Sequence, residues 1–275
     1  MLKVPYFLTL IAAMATQMCV PSEPAPKGGK GRDNDLAYRP SDLSFRKSHA
    51  RPSGSVPAST NHASSSQPDA EKAPTELAPI VQPYTEHFDG PKLSPDWSAS
   101  SSAWQIENGR LCGRLVHNHP VWLARRLPKN ARISFSAESD SPDGDLKVEV
   151  WGDGHSGATG ISYTNASSYL FILGGWKNQL HVLARLNEHG ADRMERHVNA
   201  ASTDPRDQRV QPGTKYQFQI ERNDGRTVRW SINGVEMHRF VDQQPLMGTG
   251  HDHLGFNDWE AHVCFDDLNI IPLPS

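Results

Sequence analysis

Residues 84–275 predict an all-β fold, an antiparallel β-sandwich, on three observations. First, apolar and polar side chains alternate with period two. Ile133, Phe135 and Ala137 alternate with Ser134, Ser136 and Glu138; Leu146, Val148 and Val150 with Lys147, Glu149 and Trp151; Tyr216, Phe218 and Ile220 with Gln217, Gln219 and Glu221. Successive strand side chains point to opposite faces, so each run puts one face in a core and the other toward water, the habit of antiparallel sheets. Second, Asn223-Asp224-Gly225 leads from the Tyr216 run to one carrying Val228, Trp230 and Ile232, and Asn233-Gly234 turns that run into Val235 to Val241. Those turn residues write two successive hairpins. Third, no apolar stripe of 3.6-residue spacing is long enough for a major helix, and no repeat of solenoid length occurs.

In chain order, residues 1–19 read as an export signal, with Lys3 as a positive start and Tyr6 to Ala15 as an apolar core. That core falls short of the roughly 18 apolar residues of a membrane span. Two processing routes stay open. Ala13-Met14-Ala15 is a small-x-small cleavage site that would release a soluble protein, while Thr16-Gln17-Met18-Cys19 resembles a bacterial lipoprotein box with lipidation at Cys19. Either way an exported protein is expected, held at the cell envelope through a lipid or secreted; a lipid on Cys19 would be its sole membrane attachment.

Residues 20–83 carry ten of the 21 prolines and only Tyr38 and Phe45 as aromatics, whereas all seven tryptophans lie from Trp97 to Trp259. A segment so poor in apolar bulk cannot offset its ordering entropy, so it is expected to be a disordered linker. The net charge of −3 comes without any dense Lys/Arg field. Sequence-independent phosphate binding needs such a field, and nucleic acid is therefore not expected as a partner. Within the domain, Tyr169 to Leu173 is apolar at every position and predicts a central strand covered on both faces, and the polar stretch from Asn199 to Pro212 predicts a loop.

The last sixty residues hold an ordered set of features: the Tyr216 strand, the hairpin into Trp230-Ser231-Ile232-Asn233-Gly234, Pro245-Leu246, Leu254-Gly255-Phe256, and the closing Val263-Cys264-Phe265-Asp266-Asp267-Leu268-Asn269-Ile270. With Phe88-Asp89-Gly90, Trp97, Trp104, Gly109 and Leu111 at the start, this succession resembles the concanavalin A-like lectin/glucanase superfamily, and within it the bacterial 3-keto-disaccharide hydrolase-like and laminin G-like domains. The resemblance implies a jelly-roll sandwich. It does not choose among lectins, glycosidases, lyases and adhesion modules, because fold does not fix function. In such sandwiches an early strand neighbours the last one, which implies a disulfide between Cys112 and Cys264; the alternative is two separate buried thiols.

Five constellations are candidates for chemistry. Glu149, Trp151 and Asp153 share one side of a strand by parity, an aromatic plate between acids that could hold a sugar ring; the bland alternative is a Trp under a loop. Gly174-Gly175-Trp176-Lys177-Asn178, followed by Arg185, Glu188, His189, Asp192 and Arg193, places an indole and polar groups at a rim where a buried strand emerges, with His181 and Arg185 on one strand face. Ranked first among ligand sites, it competes with a plain charged hairpin tip. His251-Asp252-His253 with Asn257, Asp258 and Trp259 could offer imidazoles and an acid to a transition metal, but lacks a fourth ligand. Asp140, Asp143 and Asp145 around Gly144 could offer oxygens to calcium, though a Pro-Asp-Gly turn accounts for them. Glu138, Asp140 and Asp143 come nearest to the paired-carboxylate strand of retaining glycosidases, and Pro142 breaks the spacing. No metal or other cofactor is therefore expected.

The expected function is carbohydrate binding, with Trp176 and Trp151 as stacking platforms and Asn178, Arg185, Glu188, His189, Glu149 and Asp153 as polar contacts. The rivals are a glycan-processing hydrolase or lyase using Glu149 or Glu188 as acid or base with His189 or His181, and an adhesion or scaffold domain with no small-ligand site.

Overall fold

The computed structural model describes residues 78–274. The export signal, Cys19 and the linker as far as residue 77 lie outside the described residues. Fifteen strands follow in chain order: β1 Tyr84–Glu86, β2 Trp97–Ala99, β3 Gln105–Glu107, β4 Arg110–Arg114, β5 Val121–Leu123, β6 Ala131–Ser139, β7 Leu146–Gly152, β8 Tyr169–Gly174, β9 Leu180–Arg185, β10 Met194–His197, β11 Thr214–Arg222, β12 Thr227–Ile232, β13 Val235–Val241, β14 His253–Asn257 and β15 His262–Pro272.

They form two antiparallel sheets. One runs β13-β12-β11-β6-β15-β4-β3 with β1 added to β15; the other runs β10-β9-β8-β7-β14-β5-β2. The two hairpins written in the turn residues are present, β11 pairing β12 and β12 pairing β13. Between the sheets lies one core, with Phe135, Phe218, Phe256, Phe265 and Trp230 at its centre. The Phe256 and Phe265 rings stack at 4.2 Å across the layers. Cys112 and Cys264 stand opposite each other in the β4–β15 ladder and are joined by a disulfide.

The outer face of the seven-stranded sheet departs from simple alternation. Every residue of β7 and β8 is buried. Lys147 and Glu149 do point away from the inter-sheet core, but residues 153–168 fold back over that face. Tyr163 and Ala166 pack there on Leu170, Ile172, Val182 and Ala184 as a second apolar cluster. Glu149 lies beneath this cover and accepts hydrogen bonds from Tyr163 Oη (3.0 Å), Ser168 Oγ (2.6 Å) and Asn257 Nδ2 (2.7 Å). Burial pushes its carboxyl up to about 7, against the pull of those three donors. Trp122 lies flat on the same face over Gly255, where an added Cβ would come within 2.8 Å of its ring.

Trp151 falls on the opposite side from Glu149, against the parity expectation. In the β7–β14 ladder Val150 pairs with Leu254 and Gly152 with His253, leaving Trp151 as an unmatched bulge residue at φ 56. A bulge inserts one residue and reverses the side-chain alternation beyond it. Trp151 therefore turns into the core and is fully buried. The equally buried Arg222 guanidinium stacks 3.7 Å from its ring centroid and donates to the carbonyls of Lys129 and Leu246 at 2.7 Å each. Trp151→Ala should cost about 3 to 5 kcal/mol of stability, the range for emptying a buried aromatic site, as read from urea denaturation. A loss below about 1 kcal/mol would contradict the placement.

His181 and Arg185 share a face opposite Leu180, Val182 and Ala184, but that face is the inter-sheet side rather than a groove. His181 Nδ1 accepts from the Gly174 N–H at 3.0 Å, and Nε2 donates to the Gln208 carbonyl at 3.0 Å. Burial lowers its pKa to about 4 and also lowers that of the neighbouring His238. Both are thus neutral when folded, while the unfolded chain binds their protons below the ordinary histidine value of about 6.5. Stability should fall as pH drops from about 6.5 toward 4, His181 alone contributing on the order of 3 kcal/mol. The check is the difference in urea midpoint between pH 7 and pH 4.5, which should shrink in His181→Gln; an unchanged difference would contradict it.

Candidate functional site

Where the cover over the seven-stranded sheet ends, beyond Ile161 and Ser162, a cavity of about 450 Å³ opens on the outer face of β7 and β8. Asp145, Lys147, Trp176, Glu188, His189 and Trp259 border it. They arrive on four pieces of chain. Lys147 comes from β7, Trp176 from the turn after β8, Glu188 and His189 from the β9–β10 hairpin, and Trp259 from the loop after β14.

Lys147 sets the electrostatics. It is only 2% exposed, and its Nζ donates to Asn118 Oδ1 at 2.6 Å and Glu188 Oε2 at 3.0 Å. Burial alone would lower its pKa, but the carboxylates of Asp145 and Glu188 outweigh that and raise it above the ordinary lysine value. An ammonium buried in this way persists only with such partners, since the effective desolvation penalty is several kcal/mol. Behind Asp145 lies Asp258, wholly buried, with Oδ1 accepting from the Ala261 N–H at 3.0 Å. Burial first and the Asp145 charge second raise its pKa far above the carboxylate range.

The rim is made of backbone in conformations that side chains resist. Trp176, Lys177 and Asn178 have φ of 51°, 56° and 61°, a left-handed turn over Gly175–Asn178. Asp145 on the lining also has positive φ, as do His117 against Trp259 and Asn118 against Lys147. Left-handed residues cost roughly 1 to 2 kcal/mol each, less for Asn and Asp, and strain of this kind gathers at functional sites. Asn178 holds the turn. Its Nδ2 donates to the carbonyls of Pro142 (3.0 Å) and Val210 (2.8 Å), and its Oδ1 accepts from the Val210 N–H at 2.9 Å. The Asp145 N–H in turn donates to the Gly174 carbonyl at 3.0 Å, tying the acid to the turn that carries Trp176.

The indoles divide sharply. Trp97, Trp104, Trp122, Trp151 and Trp230 are buried, and the two that are not, Trp176 and Trp259, both border this cavity. Arg193 lies over the Trp176 ring at 4.5 Å, and His189 meets its edge at 5.6 Å. Trp259 takes His117 edge-on at 4.9 Å, and its backbone N–H donates to Asp145 Oδ2 at 2.6 Å.

Of the residues expected from sequence, Trp176, Glu188 and His189 are brought together here. Asn178 is buried beneath the rim as a structural clamp and presents nothing to a ligand. Arg185 points between the sheets to Asp242 Oδ2 (2.8 Å) and the Gln244 carbonyl (2.8 Å). Trp151 and Glu149 are sealed from solvent as described above, and Asp153 caps its own loop by accepting from the backbone of His155 and Ser156. The His251 and His253 region does not converge with Asp258. His251 Nδ1 engages the Ser167 carbonyl, His253 pairs with Asp252, and Asp258 lies past the far end of β14. Of the calcium trio, Asp140 pairs with His262, while Asp143 and Asp145 border the cavity. Among the described residues, the one cluster of three metal-type ligands is Cys112, His262 and Cys264, and the disulfide consumes both sulfurs. Asn118 and Lys147 were not singled out by sequence, and Asp145, Asp258 and Trp259 were noted only for metal readings.

No protein-family model matches the chain, and no curated protein matches it. Similar solved structures include a carbohydrate-binding module, CBM66 from Bacillus subtilis, at TM-score 0.48 and 13% identity over 64% of this chain and 96% of that one. A putative glycosyl hydrolase from Parabacteroides distasonis aligns at TM-score 0.45 and 16% identity over 69% and 94%. The alginate lyase Aly36B aligns at TM-score 0.46 and 10% identity over 72% and 100%. With TM-scores below 0.5, these likenesses carry no weight in choosing a function, which rests on the site.

The clamp can be tested alone. Asn178→Ala should cost about 1 to 3 kcal/mol by orphaning buried groups around Val210, measured by urea denaturation, and should make the Trp176 indole more mobile by fluorescence anisotropy. An unchanged anisotropy would contradict the assignment of Asn178 to holding the turn.

Proposed function

We propose that the protein binds carbohydrate in this cavity, with Trp176 and Trp259 as stacking platforms and Asp145, Glu188 and His189 as hydrogen-bonding contacts to hydroxyls. One observation carries the reading: five of seven indoles are buried, and the remaining two stand at one acid-lined cavity. Sugar rings present an apolar face of C–H groups edged by hydroxyls, which suits an indole beside carboxylates. Polar groups already fixed by Lys147 and by the strained rim are ordered before the ligand arrives, which lowers the cost of binding. The exported, envelope-held location expected from residues 1–83 is part of the same proposal and fits a glycan ligand met outside the cytoplasm.

A glycan array with the full chain, repeated on Trp176→Ala and Trp259→Ala, tests it. Each substitution should weaken binding roughly tenfold or more, the ~1.4 kcal/mol scale of a truncated aromatic anchor, while Trp230→Phe should leave the glycan preference unchanged. Binding untouched by either alanine variant, or no glycan bound at all, would overturn it. For the location, the mass of the mature N-terminus should show either a diacylglyceryl group on Cys19 or a chain starting at Thr16; an intact Met1 in the expressing bacterium would contradict export.

A further inference from the structure

We propose that the outer face of the eight-stranded sheet carries a redox-gated zinc site, in which Cys112, Cys264 and His262 bind a thiophilic divalent cation once the Cys112–Cys264 disulfide is reduced. The site belongs to the other sheet from the carbohydrate cavity and stands independently of that reading.

Strand parity sets the three ligands on one face. Val263 and Phe265 of β15 and Leu111 of β4 enter the inter-sheet core, so His262, Cys264 and Cys112 beside them face outward. Cys112 and Cys264 stand directly opposite each other in the ladder, and His262 comes two residues before Cys264. One ring nitrogen of His262 and the two sulfurs lie within 4.8 Å of one another. Tetrahedral zinc ligands stand roughly 3.5 Å apart at metal distances of about 2.0 to 2.3 Å, so side-chain rotation is enough to close the triad on an ion.

The imidazole is already oriented as a ligand. Its Nδ1 lies 2.6 Å from Asp140 Oδ2, which holds the proton on that nitrogen and leaves Nε2 with its lone pair. Nε2 is shielded from solvent and makes no hydrogen bond. Such an orphaned atom in a native fold calls for a partner, and an ion would supply it. Glu107 Oε2, 3.3 Å from Nε2, is within reach as a fourth ligand. A carboxylate behind the ring, a free nitrogen in front of it and two sulfurs alongside match the donor set and outer support that zinc prefers.

The disulfide withholds this site until it is opened. Cys264 is 6% exposed and Cys112 0%, so a thiolate of a dithiol reductant attacks Cys264 Sγ and the Cys112 thiolate leaves. The second thiol of the reductant then resolves the mixed disulfide. The protein gains two electrons and two protons, and the dithiol becomes a disulfide. Zinc displaces a proton from each cysteine into solvent as it bonds to both sulfurs. Arg110 and Arg114 flank Cys112 on the same strand face, and their charge favours the thiolate in both steps. The β4–β15 ladder is thereby cross-linked in either state, by a covalent bond when oxidised and through the ion when reduced.

Titration of the full chain with cobalt, in the presence of a phosphine reductant, tests the site, because thiolate ligation gives cobalt a near-ultraviolet charge-transfer band that added zinc removes. The reduced protein should develop the band at one equivalent and the oxidised protein should not. Cys112→Ser should abolish it, and His262→Gln should weaken zinc binding at least about tenfold. Asp140→Asn, which alters only the group behind the ring, should weaken zinc binding about 10- to 100-fold with the band retained. Cys19→Ser should change nothing. No band in the reduced protein, zinc affinity unchanged by His262→Gln, or a band that needs Cys19 would overturn the proposal. Loss of the sandwich on reduction, seen by circular dichroism, would overturn it too, since the ligands meet only in the β4–β15 register; Cys112→Ser, which lacks the disulfide under all conditions, checks that survival separately.

Discussion

The site is organised by one buried cation. Lys147 sits on the outer face of a strand whose every residue is covered, and its ammonium is almost wholly withdrawn from solvent. A charge in that position must be met by protein groups or the fold does not form. Four separate segments converge to meet it: Asn118 from the loop before β5, Glu188 from the β9–β10 hairpin, Asp145 from the start of β7, and Asp258 from the loop after β14. Two of these, Asn118 and Asp145, reach their places at positive φ. Burial and the neighbouring Asp145 charge push the Asp258 carboxyl up, against the pull of the Lys147 cation. A hydrophobic residue at position 147 would remove the need for all of it, so the arrangement is one that stability alone does not require.

The distribution of aromatic side chains has a related logic. Indoles are large and apolar, and a sandwich of two sheets has room for several between the layers. Five take that room or the covered outer face, and Trp151 reaches the core only because a bulge reverses its direction. The two left over stand where the cover of residues 153–168 stops. Packing thus explains the placement of five, while Trp176, packed in part on the second apolar cluster, and Trp259 stay partly open beside the charged groups of the cavity.

Much of the architecture was legible in the sequence because period-two alternation and Asn-Gly-type turns are local signals. The strands around Ile133, Leu146 and Tyr216, the two hairpins and the doubly covered Tyr169 strand needed nothing beyond their own residues. The site was legible only in part. Trp176, Glu188 and His189 could be picked out because a Gly pair breaks a buried strand just ahead of them. Trp151, Glu149 and Arg185 were misread for one shared reason: parity says which residues share a face and does not say what covers that face. A bulge, an overlying loop of sixteen residues and the opposite sheet decided those three cases, and none of these is written near the residues concerned. Lys147 looked like an ordinary solvated lysine, since its partners lie 29 and 41 residues away. Trp259 carried a fainter signal, an aromatic next to an acid just past a strand end.

Because the functional reading turns on which indoles meet solvent, oxidative footprinting of the seven tryptophans tests it most directly, on the free protein and on protein saturated with a retained glycan. Trp176 and Trp259 are expected to be labelled in the free state and protected together by the ligand, with the other five silent in both. Labelling of Trp151, or a ligand that shields neither Trp176 nor Trp259, would contradict this arrangement.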